Sequence, residues 1–129
     1  MPDRAAWISE ETTPAPRTIY HRTKLRAEAL LREASSQTGL GVTVLRMSRC
    51  VPEPAPLMAG YRLHRGIDAR DVAAAHELAL ATGDTSFRVY IVSGKTPFQA
   101  EDVHALKADA RAVIRSRVPA LADAFEARG

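Results

Sequence analysis

Tyr20 and Lys24, in the run Tyr20-His21-Arg22-Thr23-Lys24, are the two side chains whose types and spacing best suit chemistry. Four residues apart on a helix, a phenol and an ammonium stand one above the other on the same face. An ammonium held beside a phenol favours the phenolate, and so makes the hydroxyl a usable proton donor and acceptor. The reaction this suits is proton exchange with a substrate hydroxyl or carbonyl oxygen. In a chain with three tyrosines the spacing alone is a weak signal, and the plain alternative is an exposed helix start with a solvated lysine.

The elements around the pair must position it. Residues Met1–Arg17 read as an irregular lead-in, since Pro14 and Pro16 forbid a helix and favour an extended approach. Trp7 and Ile8, its large apolar residues, are expected to pin it to the rest of the fold. A helix is expected from Thr18 to Ser36. Leu25, Ala29, Leu30 and Ala34 would form its inner stripe, with Glu28 between Lys24 and Arg32 at i±4 spacing. Gly39 or Gly41 ends it. Val42–Leu45 reads as a short buried strand, and Val51–Pro56 as a proline loop. Tyr61–Ile67 alternates like a short strand. Asp68 is a good N-cap, with Asp71 three residues on, for a helix from Ala69 to Thr82. Phe87–Val92 is the next strand and Ser93–Phe98 a loop. The tail from Gln99 is helical, with Pro119 opening a last helix.

Two strands joined through a helix make one βαβ unit of a parallel sheet. The expected class is therefore α/β: one partial, Rossmann-like domain over residues 1–129. Within it, 1–17 is the lead-in, 18–98 the helix and βαβ unit, and 99–129 a helical tail. Two strands are few for a parallel sheet, which wants neighbours and covered faces.

Composition excludes several classes. The net charge is only +3 and the arginines are scattered, so no basic arm for nucleic acid is present. The single cysteine, Cys50, forms no intrachain disulfide and reads as a small apolar residue in a reducing compartment. No apolar run approaches the length of a membrane span and no signal layout opens the chain, which points to a soluble, cytoplasmic protein. His21, His64, His76 and His104 lack partners at metal-ligand spacing, so no metal site is expected. Ser48 and His64 have no third partner for a hydrolase triad.

Taken together, these segments resemble the C-terminal half of the extended short-chain dehydrogenase/reductases, the NAD-dependent epimerase/dehydratase family. Several stretches carry the likeness in order: the acidic, proline-containing lead-in Glu10–Pro16, then Tyr20, Lys24 and Glu28. The Gly41, Val44, Arg46 strand, the Val51-Pro52 loop, Asp71-Val72 at a helix start and the strand Val89–Val92 follow. The resemblance implies an oxidoreductase acting on a nucleotide-sugar-like or other hydroxy/carbonyl substrate with NAD or NADP. Tyr20 would be the acid/base. Lys24 would hold the nicotinamide ribose, Met47 would touch the nicotinamide end, and Arg49 and Arg65 would face the substrate.

The family's glycine-rich phosphate loop is not in this sequence; Gly39-Leu40-Gly41 follows a helix rather than a strand. The reading is therefore of a C-terminal portion, from a truncated gene, a split gene or a miscalled start, and the 129 residues alone are expected to be inactive. An alternative is a non-catalytic interaction module derived from the same fold. In either case the expected partner is the N-terminal half or a second copy, met through an exposed sheet edge and helix, with no nucleic acid and no membrane.

Overall fold

A computed structural model describes residues 5–126; the first four residues of the expected lead-in and the last three of the tail lie outside them. Seven elements follow in order: α1 (Ile19–Thr38), β1 (Val42–Met47), α2 (Ala55–His64), α3 (Ala69–Ala81), β2 (Phe87–Val92), α4 (Asp102–Arg117) and α5 (Pro119–Glu126). β1 and β2 pair in parallel, with Val42 opposite Phe87 and Met47 opposite Val92. This is the α/β class, a two-stranded parallel sheet flanked by helices and consistent with part of a Rossmann-like fold.

Local chemistry sets the boundaries. The Thr18 hydroxyl caps α1 by accepting from the His21 N–H, and Gly39 closes the helix in the left-handed conformation with its N–H on the Ser35 carbonyl. The turn of residues 39–41 is so short that β1 must run back antiparallel to α1. Asp68 caps α3 by accepting from the Arg70 N–H, and it also takes the Arg70 guanidinium, where the sequence suggested a box with Asp71. Those bonds hold its carboxyl well below the usual carboxylate range. Asp84 caps the start of β2 in the same way: the Ser86 hydroxyl and N–H, with Arg88, hold its carboxyl down at about 2. Asp109 breaks α4 internally with φ −149° and restarts it by accepting from the Ala112 N–H.

Four expectations are corrected. Tyr61–Ile67 is not a strand: α2 covers Ala55–His64, and only Gly66 makes an isolated parallel bridge, to Arg49. Pro54 and Pro56 stand at the N-cap and in the first turn, where a missing N–H costs nothing, so they open a helix instead of extending a loop. The expected apolar stripe makes only part of the inner face of α1, with Ala34 part-buried alongside Leu25. Leu25, Glu28 and Ser35 turn inward while Ala29 and Leu30 are exposed. The inward side chains are held by polar bonds: Glu28 to Arg46, Ser35 Oγ to the Leu40 carbonyl, and the Arg32 guanidinium over the Phe87 ring at 4.1 Å. Trp7 and Ile8, expected to pin the lead-in, are exposed. What ties the lead-in down is Glu10, whose carboxylate accepts the Ile91 N–H at 2.9 Å.

The buried apolar residues are Leu63, Ile67, Phe98 and Ala122, gathered between α2, α5 and the loop after β2 instead of beneath the sheet. The chain exposes 9625 Å², where a folded 14 kDa monomer is expected to expose about 6,700 Å². Leu30, Leu31, Leu78 and Leu80 lie on that surface.

Candidate active site

The carboxyl ends of parallel strands are where α/β sheets bind ligands. Here β1 and β2 both end on that side, at Met47 and Val92. The Glu28–Arg46 ion pair fixes α1 against this end. Arg46 donates twice, from Nε at 3.0 Å and from a terminal nitrogen at 2.7 Å, to the two carboxylate oxygens. The fork orients as well as attracts, because both bonds must form together. Lys24 and Tyr20 stand one and two turns before Glu28, about 6 and 12 Å along the helix axis at its usual rise. Since α1 runs antiparallel to β1, that displacement runs toward the carboxyl end of the strand.

Tyr20 is 65% exposed, and the Lys24 ammonium lies over its ring, 5.5 Å from the centroid. The two meet face to cation, as i,i+4 geometry requires. His21 packs edge-on against the same ring. Met47 ends β1 half-exposed on the same side of the sheet.

Arg49 and Arg65 come together. The Arg49 N–H donates to the Arg65 carbonyl at 2.8 Å, and Ile67 N–H donates back to the Arg49 carbonyl at 3.1 Å. Both guanidiniums stack on the Tyr61 ring, 4.5 and 4.9 Å from its centroid. Arg49 also pairs with Glu53, whose carboxylate raises the Arg49 pKa further. Two cations on one aromatic ring suit an anionic or planar group. Neither Tyr61 nor Glu53 was read from the sequence. The available signal was spacing alone, Tyr61 four residues before Arg65 and Glu53 four after Arg49. Beyond Val92, the Gly94 N–H donates to the Gly66 carbonyl at 2.9 Å. A Cβ at Gly94 would come within 2.6 Å of that oxygen, so this crossing requires glycine. An open apolar groove of about 450 Å³ continues from Lys95 and Pro97 to Leu63 and Leu121.

The family model described as male sterility protein, an NAD-binding domain of the epimerase/reductase superfamily, matches residues 2–69. The chain belongs to this family. No curated protein and no solved structure matches it. Membership of the male sterility family bears out the epimerase/reductase resemblance at the level of the superfamily, and with it an NAD(P)-dependent oxidoreductase type of fold. Tyr20, Lys24, Met47, Arg49 and Arg65 all fall inside the matched span.

Whether these residues fit a dinucleotide depends on which end is considered. A pyrophosphate needs backbone N–H groups at a glycine-lined helix start after a strand. Among the described residues β1 runs into the proline loop before α2, and the Gly94 crossing after β2 is filled by Gly66. The pyrophosphate end therefore has no cradle here. On α1 the described residues offer an exposed phenol with an ammonium over its ring, Tyr20 and Lys24. No group of three or more metal-ligating side chains gathers among the described residues, and none of their helices is long and apolar enough to cross a membrane.

Proposed function

We propose that these residues carry the proton-transfer end of an NAD(P)-dependent epimerase/dehydratase-type oxidoreductase site. The observation that supports this is the Lys24 ammonium lying over the Tyr20 ring on α1, inside the span matched by an NAD-binding family. Tyr20 Oη gives its proton to a substrate carbonyl oxygen, or takes one from a hydroxyl in the reverse direction. Lys24 binds the nicotinamide ribose and stabilises the phenolate left behind. A bound nicotinamide supplies or takes the hydride. Met47 packs at the nicotinamide end. Arg49 and Arg65, presented with Tyr61, hold the anionic group of a nucleotide-sugar-like or other hydroxy/carbonyl substrate.

These 129 residues do not turn over by themselves, because the pyrophosphate end of the cofactor has nothing to hold it. Activity needs a polypeptide that supplies the glycine-rich half. The expected outcome is no oxidation of NADH or NADPH by the chain alone. When a glycine-rich half is supplied, turnover appears and Tyr20→Phe removes it by about 100-fold or more. Turnover by the chain alone, or a complemented Tyr20→Phe variant as active as the parent, would overturn the proposal. A second reading, a non-catalytic interaction module, is favoured by the large exposed apolar surface; there Tyr20→Phe leaves every function intact.

A further inference from the structure

The loop after β1 carries a carboxylate where the proposed site would take an anion. Arg49, two residues past the carboxyl end of β1, has its backbone fixed on both sides. Its N–H donates to the Arg65 carbonyl, and its carbonyl accepts from the Ile67 N–H. Its guanidinium and that of Arg65 both rest on the Tyr61 ring. Two like charges brought to one ring repel each other, and the electron-rich face of the ring offsets only part of that. Glu53 supplies an opposite charge through its ion pair with Arg49.

This ion pair is not a by-product of helix geometry. Residues 49–53 lie outside the helices, so their spacing does not by itself bring the two side chains together. The run Val51-Pro52-Glu53-Pro54 presents the carboxylate instead. Pro52 fixes its own φ, and Pro54, extended at φ −52° and ψ 143°, biases Glu53 toward extended backbone before α2 begins. The Glu53 side chain is 20% exposed and that of Arg49 38%, so solvent reaches both. Ion pairs open to solvent are weak and are readily exchanged for a stronger one.

We propose that Glu53 is an internal stand-in for the anionic group of the substrate. It occupies Arg49 in the ligand-free chain and turns away when a phosphate-type anion binds across Arg49 and Arg65. Two guanidiniums and one carboxylate leave one net positive charge; with the carboxylate released, two guanidiniums face the ligand and match a phosphate dianion. A monocarboxylate would merely replace one carboxylate with another. Glu53 therefore sets the preference of the site for a phosphate over a carboxylate. The inference rests on the reading of Arg49 and Arg65 as the anion end of the substrate site, and adds the residue that decides which anion enters.

The test is an NMR titration of the isotope-labelled chain with inorganic phosphate, at constant ionic strength and at a pH where the dianion predominates. The Nε signals of Arg49 and Arg65 and the side-chain carboxyl carbon of Glu53 should move with one half-saturation point. Acetate at the same concentration should leave Glu53 in place. Glu53→Gln keeps the size of the side chain and removes its charge, and should tighten phosphate by about fivefold. Glu77→Gln, which removes an exposed charge on α3, should change the affinity by less than about twofold. If Glu53→Gln fails to fold by circular dichroism, the joint movement of Glu53 and Arg49 in the unmodified chain decides. Phosphate binding at the arginines with Glu53 unmoved, equal affinity in Glu53→Gln, an equal gain in Glu77→Gln, or equal displacement by acetate would overturn this inference alone. No response of Arg49 and Arg65 in any of the proteins would overturn it together with the anion role given to those residues. None of these results depends on Tyr20 and Lys24, so the proton-transfer reading stands or falls separately.

Discussion

Gly41→Ala is expected to destabilise the protein by about 3 kcal/mol, a large share of a small domain's stability. A Cβ at Gly41 would stand 2.2 Å from the Asp84 carbonyl oxygen and 3.0 Å from the Thr85 Cα. Both are backbone atoms and cannot swing aside as a side-chain tip would. The chain must instead separate the turn before β1 from the turn before β2, just where the Val42 N–H meets the Ser86 carbonyl at 3.2 Å. With only two strands in the described sheet, losing the first rung exposes the whole ladder to fraying. A urea melt should show a lower midpoint with an unchanged slope; a midpoint within error of the parent would contradict the close approach.

The second large effect is expected at Glu28. Its carboxylate is 14% exposed and receives both arms of Arg46, so Glu28→Ala leaves a half-buried guanidinium without its partner. A loss of about 2–3 kcal/mol follows, between the values for exposed and for fully buried pairs. Arg46→Lys keeps the charge but loses the fork, and should recover only part of the stability. The pair also clamps α1, which carries Tyr20 and Lys24, to β1. In Glu28→Ala, therefore, the amide signals of residues 20–24 should shift along with the loss of stability. A melt unchanged from the parent would show that α1 is held by something else.

Elements governed by strong local chemistry were legible in the sequence. The stop at Gly39 (expected at Gly39 or Gly41), Asp68 as a cap and Pro119 at a helix start rest on interactions within a few residues, and the strand Phe87–Val92 was legible from its continuous apolar run. α2 was not legible, because Tyr61-Arg62-Leu63-His64 alternates apolar and polar like a strand. Only the prolines at the helix start, read as N-terminal residues rather than breakers, reveal it. The inner face of α1 was hidden for a different reason. Apolar spacing places Leu25, Ala29, Leu30 and Ala34 together, but the sheet takes hold of Glu28 and Arg32 through an ion pair and a ring contact, and the turn before β1 holds Ser35 through a hydroxyl bond. Those partners are contributed from eighteen, fifty-five and five residues away, so the two longest have no signature in local periodicity. The contact of Lys24 with the Tyr20 ring was legible from their i,i+4 spacing. The joining of Arg49 to Arg65 over Tyr61 depends on a backbone bridge between separate segments and was not.

Under the proposed function these residues hold the nicotinamide end of a dinucleotide, and the described residues show no cradle for its pyrophosphate. The most direct test is a pair of NMR titrations of the isotope-labelled chain, one with nicotinamide mononucleotide and one with AMP, at equal millimolar concentrations. The account predicts that nicotinamide mononucleotide moves the signals of Tyr20, Lys24 and Met47 while AMP leaves them in place. Equal or stronger shifts with AMP, or no response of those three residues to nicotinamide mononucleotide, would contradict it.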